Sequence, residues 1–339
     1  MSEVILVTGG AGFIGSNFVR MLVSECPEIR VVNLDALTYA GNLENLAEIQ
    51  DAPNYEFVHG DIRDREFLKD LFRRYHFTGV INFAAESHVD RSIENPGLFI
   101  ETNVQGTLNL LQAARETECR RYLQVSTDEV YGSLGPEDPP FTENNQITPN
   151  SPYAASKAAA DHLVHAFGHT YGMDVVITRC SNNYGMYQFP EKMIPLMFNN
   201  ARQDKPLPVY GDGMQIRDWL FVLDHCRAVW SVFQHGRKGE VYNIGGCNEK
   251  TNLEVVKLIL DFLGKPHSLI EHVTDRPGHD RRYAIDAGKI MSELGWKPSV
   301  TFEEGIAITL QWYLDHEDWM SRVTSGQYQQ YYERMYRGR

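Results

Sequence analysis

Short apolar runs of strand length alternate with stretches of helical periodicity through the first half of the chain. Residues 4–7 (VILV), 29–34, 54–58, 80–83 and 121–125 read as strands, while 17–23, 96–116 and 153–171 repeat apolar positions three and four apart, as helices do. Strand then helix, continued to about residue 179, predicts a right-handed, doubly wound, mostly parallel α/β sheet. Beyond Cys180 the pattern changes. Short strands at 207–210, 215–221, 240–244 and 269–273, with helices near 190–202, 222–235, 252–263 and 301–335, predict a smaller α+β lobe. The chain thus divides into residues 1–180, a larger α/β domain, and 181–339. The Pro- and Asn-rich stretch 135–149 reads as a loop.

The first strand runs straight into Thr8-Gly9-Gly10-Ala11-Gly12-Phe13-Ile14-Gly15. Glycines spaced in this way after a strand and before a helix allow a tight turn, close approach of backbone to a pyrophosphate, and close helix–strand packing. The helix N-terminus adds amides and partial positive charge. Gly9, Gly12, Phe13, Ile14 and Gly15 are therefore candidate cofactor contacts. The second strand ends at Asp35, twenty residues beyond Gly15. An acid there accepts hydrogen bonds from a ribose and repels a 2′-phosphate, which predicts NAD rather than NADP. Asp61 and Ile62 follow the third strand; Asp61 suits either an adenine edge or the cap of a helix from Arg63 onward. After the fourth strand, Ala84 and Ala85 are small enough for a dinucleotide to lie close, Ser87 is within reach of a substrate, and His88 reads as structural. Thr102 and Asn103 fall on the cofactor-facing part of the helix 96–116.

The fifth strand delivers Ser126-Thr127-Asp128-Glu129-Val130-Tyr131-Gly132. Open α/β sheets place their ligands at carboxyl strand ends, so these two adjacent acids mark a candidate site. Tyr153 and Lys157 stand at i and i+4, about 6 Å apart on one helix face. A cation beside a phenol lowers its pKa and makes it a usable general base.

Composition bounds the partners. The 339 residues carry a net charge of -13 and no basic stripe, which argues against nucleic acid. The five cysteines, Cys26, Cys119, Cys180, Cys226 and Cys247, are scattered without CxxC spacing and read as reduced thiols. With neither a long apolar run nor a signal-like start, the expectation is a cytoplasmic protein without a metal site. Lys192, Arg217, Arg276, Arg281 and Arg282 are concentrated in Gly-, Pro- and Asn-rich segments of the second lobe, where cations suit a diphosphate clamp. The helices 96–116 and 153–171 have a second face that fits either a homodimer interface or packing within one subunit.

Taken together, TGGAGFIGS (8–16), DALTYAGN (35–42), GDIRD (60–64), NFAAESHVDRSI (82–93), STDEVYG (126–132), YAASKAAAD (153–161), CSNNYG (180–185), YQFPEK (187–192), QIRDWLFV (215–222) and DRPGHDRRY (275–283) resemble the extended short-chain dehydrogenase/reductases that act on nucleotide sugars, and within them the 4,6-dehydratases. The resemblance implies a Rossmann-type fold, resident NAD and dTDP-glucose as substrate, with UDP-glucose or UDP-N-acetylglucosamine as alternatives. Related 4-epimerases share the tyrosine–lysine couple but usually lack the acids at 128 and 129. It implies that Tyr153, with Lys157 and Thr127, oxidises C4, that Glu129 takes the C5 proton, and that Asp128 protonates the departing C6 hydroxyl. It further implies substrate contacts from Ser87, Thr127, Asn182, Lys192, Met193, Pro208, Tyr210, Arg217, Asn252, Arg276 and His279, and a nicotinamide contact from Asn183. Met186 stands where the family usually has proline, a change expected to loosen the loop leading to Tyr187 and Lys192.

Overall fold

The structure is a computed structural model and describes residues 3–275 and 279–325. Its strands are β1 (Val4–Thr8), β2 (Arg30–Asp35), β3 (Tyr55–His59), β4 (Gly79–Asn82), β5 (Arg121–Thr127), β6 (Val175–Cys180), β7 (Asn182–Tyr184), β8 (Leu207–Tyr210), β9 (Ile216–Phe221), β10 (Val241–Ile244), β11 (Glu249–Thr251), β12 (Ile270–Val273) and β13 (Arg282–Tyr283). The helices are α1 (Phe13–Glu25), α2 (Arg65–Tyr75), α3 (Val89–Glu94), α4 (Pro96–Phe99), α5 (Thr107–Glu116), α6 (Pro152–Tyr171), α7 (Met193–Arg202), α8 (Val222–His235), α9 (Asn252–Phe262), α10 (Gly288–Leu294), α11 (Phe302–Asp315) and α12 (Glu317–Val323). None of the described helices is long and apolar enough to cross a membrane.

Seven parallel strands form the large sheet in the order β10-β6-β5-β4-β1-β2-β3. Its strands are almost wholly buried, as expected when helices cover both faces. One face packs with α1 and α8 around Phe18, Leu22, Val229 and Val232; the other buries Leu71, Phe72, Leu110 and Val164 from α2, α5 and α6. Strand order reverses between β1 and β4, and the crevice at their carboxyl ends is where such sheets bind ligands.

Three sequence expectations change. The strand at 240–244 joins the large sheet beside β6 rather than the smaller lobe, so the cut at residue 180 does not separate the sheet from the rest. Its buried Tyr242 and Ile244 complete the large core, a pairing across a long stretch of chain that local pattern does not encode. The helix 96–116 is interrupted: Ile100–Gly106 is a π-helix between α4 and α5. There the Asn103 side chain accepts from Glu86 N at 2.9 Å and donates to the Glu86 carbonyl and to Ser156 Oγ, tying the loop after β4 to α6. Widened turns of this kind gather at functional sites. The long C-terminal helix breaks at His316 into α11 and α12, and Trp319 of α12 donates to Asn45 Oδ1 at 2.9 Å, back on the first domain. The remainder of that expected helix lies outside the described residues.

The smaller lobe closes around β7, β9, β11 and β13, with β8 pairing β12, over a core of Tyr184, Phe198, Trp219, Phe302 and Tyr313. The loop after β7 is held at several points despite Met186: Asn17 of α1 donates to the Met186 carbonyl at 3.0 Å and Tyr313 to that of Gly185 at 3.0 Å.

Behind the site, Arg179 of β6 pairs with Asp161 of α6 at 3.0 Å, both nearly fully buried, and donates to Tyr131 at 2.9 Å. Losing one partner strands a buried charge. Asp161→Ala should cost about 3–5 kcal/mol of stability in urea unfolding, and adding Arg179→Met should recover most of it.

Candidate active site

A cavity of about 360 Å³ opens at the carboxyl ends of the central strands. Gly9, Gly12, Phe13 and Ile14 line it from the turn after β1, and Ala84 and Ala85 from the turn after β4. Gly9 has φ +71°, and a Cβ there would stand 2.7 Å from Ala84 N; at Gly15 a side chain would run into the Gly9 carbonyl. No side chain among the described residues caps α1, and its first turn carries no acid. Its amides are left to an anion, as phosphate-binding helix ends require. Asp35 also lines the cavity, with Oδ2 accepting from Ala11 N at 2.9 Å and Oδ1 from Leu37 N at 2.8 Å. Burial pushes its carboxyl up, against those two amides. A dinucleotide fits this set: a cradle that side chains would fill, bare helix amides, and a carboxylate at the far end.

Asp61, Ile62 and Thr102 line the same cavity. Asp61 receives both the Arg63 backbone and its guanidinium; the cap of α2 is instead Asp64, which accepts from Phe67 N at 3.0 Å. Of the two readings of Asp61, the cap therefore falls away. Asn183 lines the cavity too, but its amide is engaged: Oδ1 faces His225 Nδ1 at 2.9 Å and Nδ2 donates to the Ser181 carbonyl. His225 is fully buried, and desolvation lowers its pKa to about 3, so the ring is neutral.

Around the inner end stand Thr127, Asp128, Glu129, Tyr153 and Lys157. β5 ends at Thr127 and a short 3-10 turn, Asp128–Tyr131, follows, with the Glu129 amide donating to Thr127 Oγ1 at 3.3 Å. Thr127 also donates to Asp128 Oδ1 at 3.3 Å and bonds Tyr153. Asp128 is 2 % exposed, and among the described residues its Oδ2 has no partner. Burial first, then the Glu129 and Asp218 carboxylates, push its pKa well above the ordinary range, while Arg217 opposes them. Burial thus favours the protonated form of Asp128, the form that has a proton to give.

The tyrosine differs from expectation. Burial, reinforced by Glu129, pushes the Tyr153 phenol well up rather than down; the Thr127 bond opposes this. Lys157 donates to the Val125 carbonyl at 2.6 Å, and burial lowers its own pKa. The cost of a buried phenolate beside a carboxylate sets the direction.

Ser87, Asn182, Lys192 and Met193 also line the cavity, Lys192 reaching the Ser87 carbonyl at 3.0 Å. Tyr210, Arg217, Asn252 and His279 form a second cluster. His279 meets the Tyr210 ring and bonds Asp275, Asp275 accepts from Gln215, Gln215 accepts from Asn252 N, and Arg217 lies over Tyr283 and donates to the Asp280 carbonyl. Pro208 is buried in β8, paired with Glu271. Arg276 lies outside the described residues. The five-cation clamp shrinks: Arg282 is bidentate to Glu249 and Arg281 to Asp212, so both are engaged within the fold. Ser126, Cys180, Gln188, Phe189, Glu191 and Trp219, none of them among the expected contacts, also line the cavity. Glu191 lay in a motif that resembles the family, but nothing in its type or spacing assigned it a role.

Comparison with known proteins agrees with this geometry. The family described as GDP-mannose 4,6 dehydratase matches residues 6–309. A dTDP-glucose 4,6-dehydratase of Xanthomonas campestris pv. campestris (strain B100) is 57% identical, covering 95% of this chain and 96% of its own. The crystal structure of the dTDP-glucose 4,6-dehydratase DesIV from Streptomyces venezuelae, solved with NAD bound, superposes with a TM-score of 0.92 at 50% identity, covering 95% of this chain and 100% of that one. A UDP-glucose 4-epimerase from Thermus thermophilus, also with NAD, is more distant at 32% identity and TM-score 0.86, over 93% and 100%. Matched over nearly its whole length by dehydratases more closely than by this epimerase, the chain belongs to the nucleotide-sugar 4,6-dehydratase family, among the dTDP-glucose 4,6-dehydratases.

Proposed function

We propose that the protein converts dTDP-glucose to dTDP-4-keto-6-deoxyglucose and water. The observation that carries this is the pairing of two units in one glycine-cradled cavity: Tyr153 and Lys157 on α6, and the acids Asp128 and Glu129 at the end of β5. Bound NAD supplies a hydride acceptor for C4, a donor for C6, and a positive charge that favours the Tyr153 phenolate. Gly9, Gly12, Phe13, Ile14, Asp35, Ala84, Ala85 and Thr102 hold it. Tyr153, bonded to Thr127, takes the C4 hydroxyl proton, and Lys157 keeps positive charge on that face. The C4 ketone acidifies C5. Glu129 removes the C5 proton, and Asp128, kept protonated by burial, gives its proton to the departing C6 hydroxyl. A proton returned to C5 after exchange with solvent, and the proton taken from the C4 hydroxyl passed through solvent to Asp128, reset Glu129, Tyr153 and Asp128 and complete a cycle with no net redox change.

Substrate recognition falls to Ser87, Asn182, Lys192 and Met193 beside the acids, and to the Tyr210, Arg217, Asn252 and His279 cluster of the second lobe. Arg217 joins the two, since its charge is felt at Asp128. A homodimer through 96–116 and 153–171 belongs to the same reading, supported by the exposed Ile100 and Tyr171. So does a cytoplasmic location, supported by five free thiols.

Incubation with a panel of dTDP- and UDP-sugars, read by mass for loss of water, tests the proposal: dTDP-glucose should lose water fastest. Epimerised product of unchanged mass would instead favour the 4-epimerase reading. Asp35→Arg, which removes the ribose acceptor and adds a cation, should weaken NAD binding about tenfold or more and improve NADP binding in titrations of each.

A further inference from the structure

Three separate segments that line the cavity are joined by side chains the proposed reaction does not use. The segment after β2 lines it with Ala36, Thr38, Ala40 and Gly41, the segment after β4 with Glu86 and Ser87, and the segment after β7 with Gln188, Phe189, Glu191 and Lys192. Tyr39, between two lining residues of the first, lies under Arg91 of α3, with the guanidinium carbon 3.7 Å from the ring centroid. Arg91 Nε donates to Glu191 of the third segment at 3.0 Å, and the Glu191 side chain is 2% exposed. The Tyr39 hydroxyl bonds the same carboxylate, and its ring meets Phe189 edge-on at 5.8 Å. The first segment is fixed in turn to the glycine turn, Asn42 N donating to the Ala11 carbonyl at 3.0 Å.

We propose that Tyr39, Arg91 and Glu191 are positioning residues that clasp these three segments together and so keep the dinucleotide resident from one turnover to the next. The inference rests on the function proposed above, in which the cofactor is regenerated in every cycle and its release serves no step. A planar cation stacked on a ring and ion-paired to a buried carboxylate is a strong, directional tie, and it holds all three segments at once. While Arg91 keeps both partners, the segments that line the cavity stay together and release of a dinucleotide held there is slowed.

The test compares purified unaltered protein with Arg91→Met, Tyr39→Leu and the conservative Arg91→Lys. NAD retained per chain after long dialysis, the NAD release rate, and melting with and without saturating NAD are measured. Arg91→Met and Tyr39→Leu should release NAD at least tenfold faster and purify largely without it, with Arg91→Lys between. Excess NAD should restore both kcat and the melting temperature to near those of the unaltered protein. Retention equal to that of the unaltered protein would overturn the clasp, as would a loss of activity and melting temperature that saturating NAD does not repair. Should Arg91→Met fail to fold, Tyr39→Leu decides alone. An unaltered protein that neither carries nor binds NAD would overturn the proposed function itself, and the clasp with it.

Discussion

The double variant Asp128→Asn, Glu129→Gln is expected to oxidise its substrate and go no further. Amides fill the space of the carboxyls but neither give nor take protons at the required pKa, and general acid–base groups each contribute about 10²–10⁴-fold. Dehydration should fall by at least about 10³-fold, while Tyr153 and Lys157 still act. Rapid mixing of NAD-loaded variant with dTDP-glucose should show reduced-nicotinamide absorbance rising and decaying slowly, because hydride can return only to C4. The same assignment fixes a pH dependence for the unaltered enzyme. Asp128 must be protonated to act, and its folded pKa lies above the ordinary 3.8, so dehydration persists above the normal carboxylate range and declines as pH rises through that raised value. A normal rate of water loss by the double variant would show that the acids are misassigned.

Tyr153→Phe is expected to abolish the absorbance rise rather than prolong it. The ring still packs near Phe99, but the hydroxyl bonded to Thr127 is gone, and with it the only group assigned to take the C4 proton. A loss of about 10²–10⁴-fold in kcat is expected, with substrate affinity changed much less, since the phenol acts in the transition state rather than in binding. The two variants should therefore fail on opposite sides of one intermediate. A full absorbance signal from Tyr153→Phe would contradict the division of labour.

The parts of this site that were legible in the sequence are those written in contiguous residues. The glycine turn before α1, Asp35 at the end of β2, the Thr127-Asp128-Glu129 run and the i, i+4 pair of α6 are local patterns whose geometry follows from one strand or helix. What pattern missed depends on distant chain. β10 pairs β6 across more than sixty residues, and a four-residue run carries no mark of which sheet it joins. The π-turn at Ile100–Gly106 keeps helical periodicity well enough to pass as helix, and the Asn103 bonds to Glu86 that accompany it join distant chain. The rise of the Tyr153 pKa reflects desolvation, a property of packing rather than of spacing. Arg281 and Arg282 are cations of the right kind in the right loops, yet Asp212 and Glu249 claim them. Tyr39, Arg91 and Glu191 sit in three separate motifs, and nothing in any one of them announces the other two.

The central claim is an internal oxidation, elimination and reduction at one sugar, and heavy water tests it most directly. Protein purified without added cofactor is incubated with dTDP-glucose in deuterium oxide, and the product is examined by mass and NMR. The account predicts loss of one water, one deuterium at C5, none gained at C6 through hydride transfer, and no net accumulation of reduced nicotinamide. Product lacking deuterium at C5, or reduced cofactor released in step with product, would contradict it.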